Sequence, residues 1–310
     1  MTADNEMIEV IYIAYRPDER LYESLKRIAV QAAHPDRIRI VLTVDDAEAG
    51  LTDAADCVPE QPKEAKEVAR KLALAGLDRK VKIETVSKHE FSHGATRQKA
   101  VMSSQCGYVL LMTQDAVPVN GRLISNLLKA VSGMDAALAY ARQVPYPDAS
   151  KVERLYRLFN YPRKSVSKTA SDIEKMGVKA FFSSDVCCMY KKSVFEQLGG
   201  FDTSIDFNED SIFAYHALKA GYTVEYAAEA LVFHSHNMSF KEMFERSRVL
   251  AISQKQHKDI FGQVSSENEG MKFLRLGLKA LWKRKDYLSA AELIATCIAK
   301  YAGYFVGKNL

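Results

Sequence analysis

The run Tyr108-Val109-Leu110-Leu111-Met112-Thr113-Gln114-Asp115-Ala116-Val117-Pro118 is apolar as far as Met112 and then stops at a polar triplet closed by a carboxylate. A short apolar run bounded by polar residues reads as a buried strand, here Tyr108 to Met112. In open parallel sheets, ligands gather beyond the carboxyl ends of the strands, which is where Asp115 then stands. The pattern recurs upstream. Val10 to Ile13 reads as a first strand, Ile38 to Val44 as a second that ends at Asp45-Asp46, and Val81 to Val86 as a third. Between them, Leu21 to Ala32, Lys63 to Ala75 and Thr96 to Ser104 read as helices, with Leu21, Leu25, Ile28 and Ala29 on one face of the first. This alternation predicts an α/β chain with a mostly parallel central sheet and helices on both faces.

Downstream the pattern loosens. Ala136 to Tyr140, Val186 to Tyr190, Thr223 to Tyr226 and Ala230 to His234 are further strand candidates. The polar stretch from Lys151 to Lys175 is too long for a plain connection, and predicts a helix near Val152 to Phe159 and a mobile segment. From Ser239 onward the sequence is helical only, opened by Ser239-Phe240-Lys241-Glu242, which has the form of a capping box. The expected organisation is an α/β domain over residues 1–238 and a helical extension over 239–310.

The 310 residues are 47% hydrophobic and 26% charged, with 8 Pro and 15 Gly, which excludes a disordered or fibrous chain. A net charge of 43 − 39 = +4 selects no partner until it is located. The cysteines (Cys57, Cys106, Cys187, Cys188 and Cys297) show no CxxC pair and no metal-ligand spacing, which points to a reducing compartment. Met1 to Glu6 lacks the basic start and apolar core of a signal peptide, and Glu292 and Lys300 interrupt the apolar stretch Ala290 to Val306. The expected location is cytoplasmic.

Three acidic positions fall at strand ends or helix starts: Asp45-Asp46, Asp115 and Glu209-Asp210. Such carboxylates suit a ribose hydroxyl or a hard divalent cation. They equally suit helix caps and Asx turns, so each position alone leaves both uses open.

Taken together, the residues resemble a family. Phe91-Ser92-His93-Gly94-Ala95-Thr96-Arg97, Met112 to Pro118, Ala141-Arg142-Gln143, Phe159-Asn160-Tyr161-Pro162, Leu198-Gly199-Gly200-Phe201-Asp202, Asn208-Glu209-Asp210 and His234-Ser235-His236-Asn237 follow one another in order. The set is similar to family 2 glycosyltransferases of the GT-A fold, and in finer detail to their bacterial rhamnosyltransferase branch. The closing Tyr301 to Lys308 also resembles that branch.

The resemblance implies roles. Asp210 is the general base, with Glu209 beside it. Asp115 holds a divalent cation, Mg²⁺ or Mn²⁺, at the second acidic place of the DxD motif. Thr113 occupies the first place, a departure that weakens the ribose contact expected there. His234 completes the metal site, while His236 is assigned to structure or to the acceptor side. Donor contacts fall to Tyr15, Asp45, Asp46, Gly94, Arg97, Thr113 and Gln114. Gly94 admits a diphosphate to the backbone, and Arg97 offers a planar fork to phosphate or to a neighbouring carboxylate. Asp185 and Gly200 are acceptor-side candidates.

The implied activity is inverting transfer of a sugar from a nucleotide-sugar donor, dTDP-L-rhamnose by resemblance, to a lipid-linked bacterial surface glycan. The alternatives are a UDP-hexose or UDP-N-acetylhexosamine donor, or a non-catalytic nucleotide-sugar-binding subunit. In the extension, Phe273, Leu274, Leu278, Leu281 and Trp282 gather on one helical face, opposite Lys272, Arg275, Lys279 and Lys283. That helix suits the inner face of the cytoplasmic membrane, or docking on the catalytic domain or in a homodimer. No basic platform interleaved with aromatics suggests nucleic acid.

Overall fold

The computed structural model describes residues 6–45, 62–205, 207–262 and 267–310. Asp46 and Cys57 therefore lie outside the described residues. Strands β1 (Ile8–Tyr15), β2 (Arg37–Val44), β3 (Val81–Ser87) and β4 (Tyr108–Thr113) run parallel in the order β3-β2-β1-β4. Both faces of β1 are buried, with Val10, Tyr12 and Ala14 in one apolar cluster and Ile11 and Ile13 in another. This is why an interior parallel strand reads as a continuous apolar run rather than an alternating one.

The sheet continues through β5 (Val117–Pro118), β6 (Ala136–Val144), β7 (Val166–Lys168), β8 (Cys187–Lys191) and β9 (Thr223–Phe233). Strand β8 inserts antiparallel between β4 and β6, while β6 and β9 are parallel to each other. The sheet is thus mixed. The two stretches expected as separate strands, at Thr223 and Ala230, form the single strand β9. An irregularity in its pairing with β6, between Ala141 and Arg142, lets β9 pass without breaking.

Helices α1 (Glu19–Ile28), α2 (Lys63–Leu74), α3 (His93–Met102) and α4 (Leu123–Val131) accompany the first strands. They are followed by α5 (Lys151–Asn160), α6 (Asp172–Met176), α7 (Lys192–Gln197) and α8 (Glu209–Lys219). The segment expected to be mobile after α5 instead forms β7 and α6. Lys168 anchors it from within: its ammonium is buried and donates to the Phe182 carbonyl at 2.6 Å and to the Tyr140 hydroxyl at 3.1 Å. Burial without a carboxylate partner lowers the pKa of this amine to about 7.

After β9 come α9 (Phe240–Gln256), α10 (Lys258–Phe261), α11 (Glu267–Lys283) and α12 (Tyr287–Asn309). The capping box at Ser239 and Glu242 is formed at the start of α9. The apolar face of α11 turns inward: Phe273 meets Tyr156 and Phe159 of α5, and Leu281 is buried in the same cluster as Leu293 of α12. Trp282 leaves that face, 65% exposed and edge-on to Tyr287. No helix of the described residues is long and apolar enough to cross a membrane.

Helix α12 lies against α9 through Gly303 and Gly307. A Cβ at either would overlap a backbone carbonyl of α9, at Phe244 and at Arg248. In an exposed helix, Gly→Ala stabilises by about 1 kcal/mol. Here the sign reverses: Gly303→Ala should destabilise the fold by about 1–3 kcal/mol, measured as a lower urea midpoint with unchanged slope.

Candidate active site

Strand β4 ends at Thr113, and a tight turn closed by Ala116 N–H to the Thr113 carbonyl presents Asp115 at its crest. Strand β9 delivers His234 and, two residues on, His236 to the same place. Asp115 Oδ2 lies 3.1 Å from His236 Nε2 and 3.5 Å from His234 Nε2, and the two imidazole nitrogens are 3.1 Å apart. Cis donors on a metal with bonds of about 2.1 Å lie ~3.0 Å apart in an octahedron and ~3.4 Å apart in a tetrahedron. The trio therefore fits a divalent cation. His236 belongs to this cluster as well as facing the segment after β9.

Protonation states match that use. Burial lowers the pKa of His234 to about 4, so the ring is neutral near pH 7. Burial alone would raise Asp115, but its contacts with the His234 and His236 rings hold it well below the usual carboxylate range. The His234 tautomer is set from behind. Its Nδ1 lies 2.8 Å from Gln143 Oε1, an atom that can only accept, so Nδ1 carries the hydrogen and Nε2 offers its lone pair. Gln143 Oε1 also accepts from Arg157 Nη1, while its Nε2 donates to Ser184 Oγ at 3.0 Å.

Beyond Ser184 lies a second cluster. The guanidinium of Arg97, buried on α3, pairs with Glu209 and lies 3.6 Å from Asp185 Oδ2. Asp185 accepts from the Tyr190 hydroxyl at 2.6 Å, and its own N–H reaches Asp210 Oδ2 at 3.3 Å. One cation thus faces three carboxylates. Burial, reinforced by the neighbouring negative charges, raises Asp185 to about 8. Burial and then Glu209 raise Asp210 to about 6, against the pull of Arg97. Asp185 therefore holds its proton more tightly than Asp210, and Asp210 is more basic than an exposed carboxylate. Arg97 is spent on these carboxylates, which settles its choice between phosphate and an internal pair.

At the ends of β1 and β2, the Tyr15 hydroxyl donates to Asp45 Oδ1 at 3.2 Å, and Arg16 Nη2 donates to Asp45 Oδ2 at 2.7 Å. The Arg16 hydrogen bond lowers the pKa of Asp45. Gln114 clamps the Tyr15 backbone at both ends, accepting from its N–H at 2.8 Å and donating to its carbonyl at 3.0 Å. Gln114 is therefore a brace for the strand ends rather than a free donor contact. The Thr113 hydroxyl is buried without a hydrogen-bond partner.

Two glycine assignments are corrected. A Cβ on Gly94 would collide with the Asp202 carbonyl, so the close approach it permits is made by the chain's own loop and not by a diphosphate. Gly200 adopts φ +76° in a turn held by Gln98, which accepts from Phe201 N–H at 2.8 Å and donates to the Gly199 carbonyl at 3.1 Å. Its role is to make that turn, not to contact an acceptor.

The sequence reading missed Gln143 as a positioning residue, and also Ser253. Ser253 Oγ on α9 donates to the Phe207 carbonyl at 2.6 Å and accepts from Asn208 Nδ2 at 3.0 Å. Asn208 precedes the Glu209-Asp210 pair with φ +70°, a left-handed conformation that asparagine adopts more readily than most non-glycine residues. The Ala141-Arg142-Gln143 motif was visible in sequence, and only the reason for it was not.

A model of the glycosyltransferase-like family 2 matches residues 6–249. The chain is a family 2 glycosyltransferase. It is 34% identical over 241 residues to the O-antigen chain rhamnosyltransferase RfbN of Salmonella typhimurium, covering 76% of each chain. With WbaN of Salmonella anatum, another O-antigen chain rhamnosyltransferase, identity is 33% over 229 residues, covering 72% of this chain and 71% of that one.

Among solved structures, the mannosyltransferase PcManGT of Pyrobaculum calidifontis, in complex with GDP-Man and Mn²⁺, superposes with a TM-score of 0.59 at 14% identity. That match covers 97% of this chain and 85% of the other. Residues 1–349 of S. aureus TarS with UDP-GlcNAc give 0.51 at 13% identity, covering 98% and 90%. The glycosyltransferase has the GT-A fold.

Because Gln143 fixes the tautomer of His234, Gln143→Leu in this glycosyltransferase should weaken divalent-cation binding by about 10–100-fold, read by titration calorimetry with Mn²⁺ and with Mg²⁺. Asp115→Ala should abolish it. Wild-type affinity in Gln143→Leu would show that the tautomer is set elsewhere.

Proposed function

We propose that this enzyme transfers L-rhamnose from dTDP-L-rhamnose, with inversion, to a lipid-linked glycan destined for a bacterial surface polysaccharide. The observation that carries the reading is that the cation-type trio and a raised-pKa carboxylate are tied to adjacent residues, Ser184 and Asp185, by hydrogen bonds. These bonds run from His234 through Gln143 to Ser184, and from the adjoining Asp185 to Asp210. Both relatives named as O-antigen chain rhamnosyltransferases support the sugar and the acceptor class.

In the proposed reaction, Asp115, His234 and His236 hold a divalent cation. When bound, that ion neutralises charge developing on the leaving diphosphate. Asp45, Tyr15 and Arg16 form the nucleoside end of the donor site at the tips of β1 and β2. Asp210 accepts the proton of the attacking hydroxyl, and attack on the face opposite the diphosphate inverts the anomeric carbon. Arg97 and protonated Asp185 keep Asp210 in place and tune its basicity.

For the helical extension we propose contact with an anionic membrane surface. Exposed Met271, Leu276, Trp282, Tyr287 and Leu288 are interspersed with exposed Lys272, Arg275, Lys279, Lys283, Arg284 and Lys285. Apolar anchors among basic residues complement anionic headgroups, with about 1 kcal/mol for each Lys or Arg near the surface.

Donor identity is tested by thermal shift with dTDP-rhamnose against UDP- and GDP-sugars, each with and without Mn²⁺. Ligand at ~100 times its Kd stabilises by about 2.7 kcal/mol, so a cation-dependent shift confined to dTDP-rhamnose is expected. A shift with UDP-sugars instead would discard rhamnose and keep the mechanism.

Asp210→Asn should lower turnover by about 10²–10⁴-fold while leaving that shift intact. Since only ionised Asp210 accepts a proton, kcat/KM should fall about tenfold per pH unit below pH ~6 and level off above. Co-sedimentation with phosphatidylglycerol vesicles should exceed that with phosphatidylcholine, and Trp282→Ala with Leu288→Ala should reduce it. Equal binding to both vesicles would overturn the membrane assignment.

A further inference from the structure

Behind His236 lies a cavity of about 100 Å³, bounded by α5, by the segment after β9 and by the C-terminal helices. One water needs only ~10–15 Å³ of such space, so the volume suits a larger ligand. One wall is a single face of α12, on which Glu292, Thr296 and Lys300 recur every fourth residue. Thr296 is 3% exposed, and its hydroxyl has no hydrogen-bond partner among the described residues. Among the described residues, neither Glu292 nor Lys300 forms an ion pair, although Lys300 Nζ sits 3.9 Å from the centre of the Tyr156 ring. Phe273 adds an aromatic surface to the lining.

We infer that this cavity is a subsite for a neutral sugar unit of the acceptor glycan. The inference rests on the reading that the enzyme extends a glycan. A carboxylate, a hydroxyl and an ammonium in a row supply acceptor, mixed and donor functions, as the hydroxyls of a pyranose require. The aromatic lining suits the apolar C–H face of the ring. A phosphate fits poorly, because the Glu292 carboxylate lines the cavity and has no ion-pair partner among the described residues. His236 lines the cavity and also belongs to the Asp115 trio, so a sugar seated there abuts the donor side of the reaction. The helical extension thus contributes to acceptor selection.

The test uses the full-length enzyme with dTDP-rhamnose and lipid-linked glycan extracted from cells lacking this chain. Thr296→Val removes one hydroxyl at nearly constant shape, and should raise the acceptor KM about three- to tenfold. Glu292→Gln and Lys300→Met should each raise it about tenfold or more. Donor KM and the slow hydrolysis of donor without acceptor should stay at wild-type values, a split that general loosening of the helices would not produce.

Unchanged acceptor KM in all three variants would overturn the subsite. So would a parallel loss of donor binding. Absence of any transfer by the wild-type protein would instead overturn the proposed function itself.

Discussion

Gln143 is the point on which the site depends. It sits on β6, 3% exposed, and its amide is engaged at both ends. The oxygen accepts from His234 and Arg157, and the nitrogen donates to Ser184. A buried amide is costly unless satisfied, and once satisfied it admits one arrangement of its neighbours. That arrangement sets which nitrogen of His234 is free. It also ties the segment entering β8, and with it Asp185, to the end of β9. The loop after β6 is held in the same way, with Tyr146 N–H donating to Ser235 Oγ at 3.0 Å and Ser150 N–H to Asn237 Oδ1 at 2.9 Å. His236 is thereby fixed between two pinned neighbours.

The second organising feature is an imbalance of buried charge. Arg97 faces Glu209, Asp185 and Asp210, and no further cation is recorded among the described residues of this cluster. Full ionisation of all three carboxylates in a desolvated place is unfavourable, so protons are retained at Asp185 and more weakly at Asp210. A carboxylate with pKa about 6 is a better proton acceptor near neutrality than an exposed one, and here the environment supplies that property without a special residue type.

The C-terminal helices are built into this machinery. Ser253 on α9 holds both Phe207 and Asn208 next to the helix that begins with Glu209 and Asp210, and His257 lies 3.0 Å from Asp202 in the preceding loop. Helix α12 can follow α9 closely because glycines remove side chains from the contact. Bracing the loop that leads into α8 and walling the cavity behind His236 are therefore tasks of one helical layer. The sequence pattern from Ser239 onward announced helices but not what they support.

Much of the fold was legible because its cause is local. Apolar runs between helical periodicities mark β1 to β4, and the polar residues ending them mark where a site can form; Asp45 and Asp115 were found on that basis. The Glu209-Asp210 pair and His234 were singled out through resemblance. Strand β9 was split in two because an irregular register looks in sequence like a turn. Gly94, Gly200 and Gln114 were assigned to ligands because a sequence does not show that the chain itself fills the space beside them.

The inclusion of His236 in the trio, the service of Arg97 to three carboxylates and the roles of Gln143 and Ser253 all required the tertiary structure. Each rests on groups tens of residues apart along the chain, as with the 91-residue separation of Gln143 and His234. The sequence by itself determined the strand ends and the residue types standing there, since periodicity and polarity are local. Which of those residues meet, and in which protonation state, was decided only by sheet register and burial, since desolvation and hydrogen bonding act between groups the fold brings together.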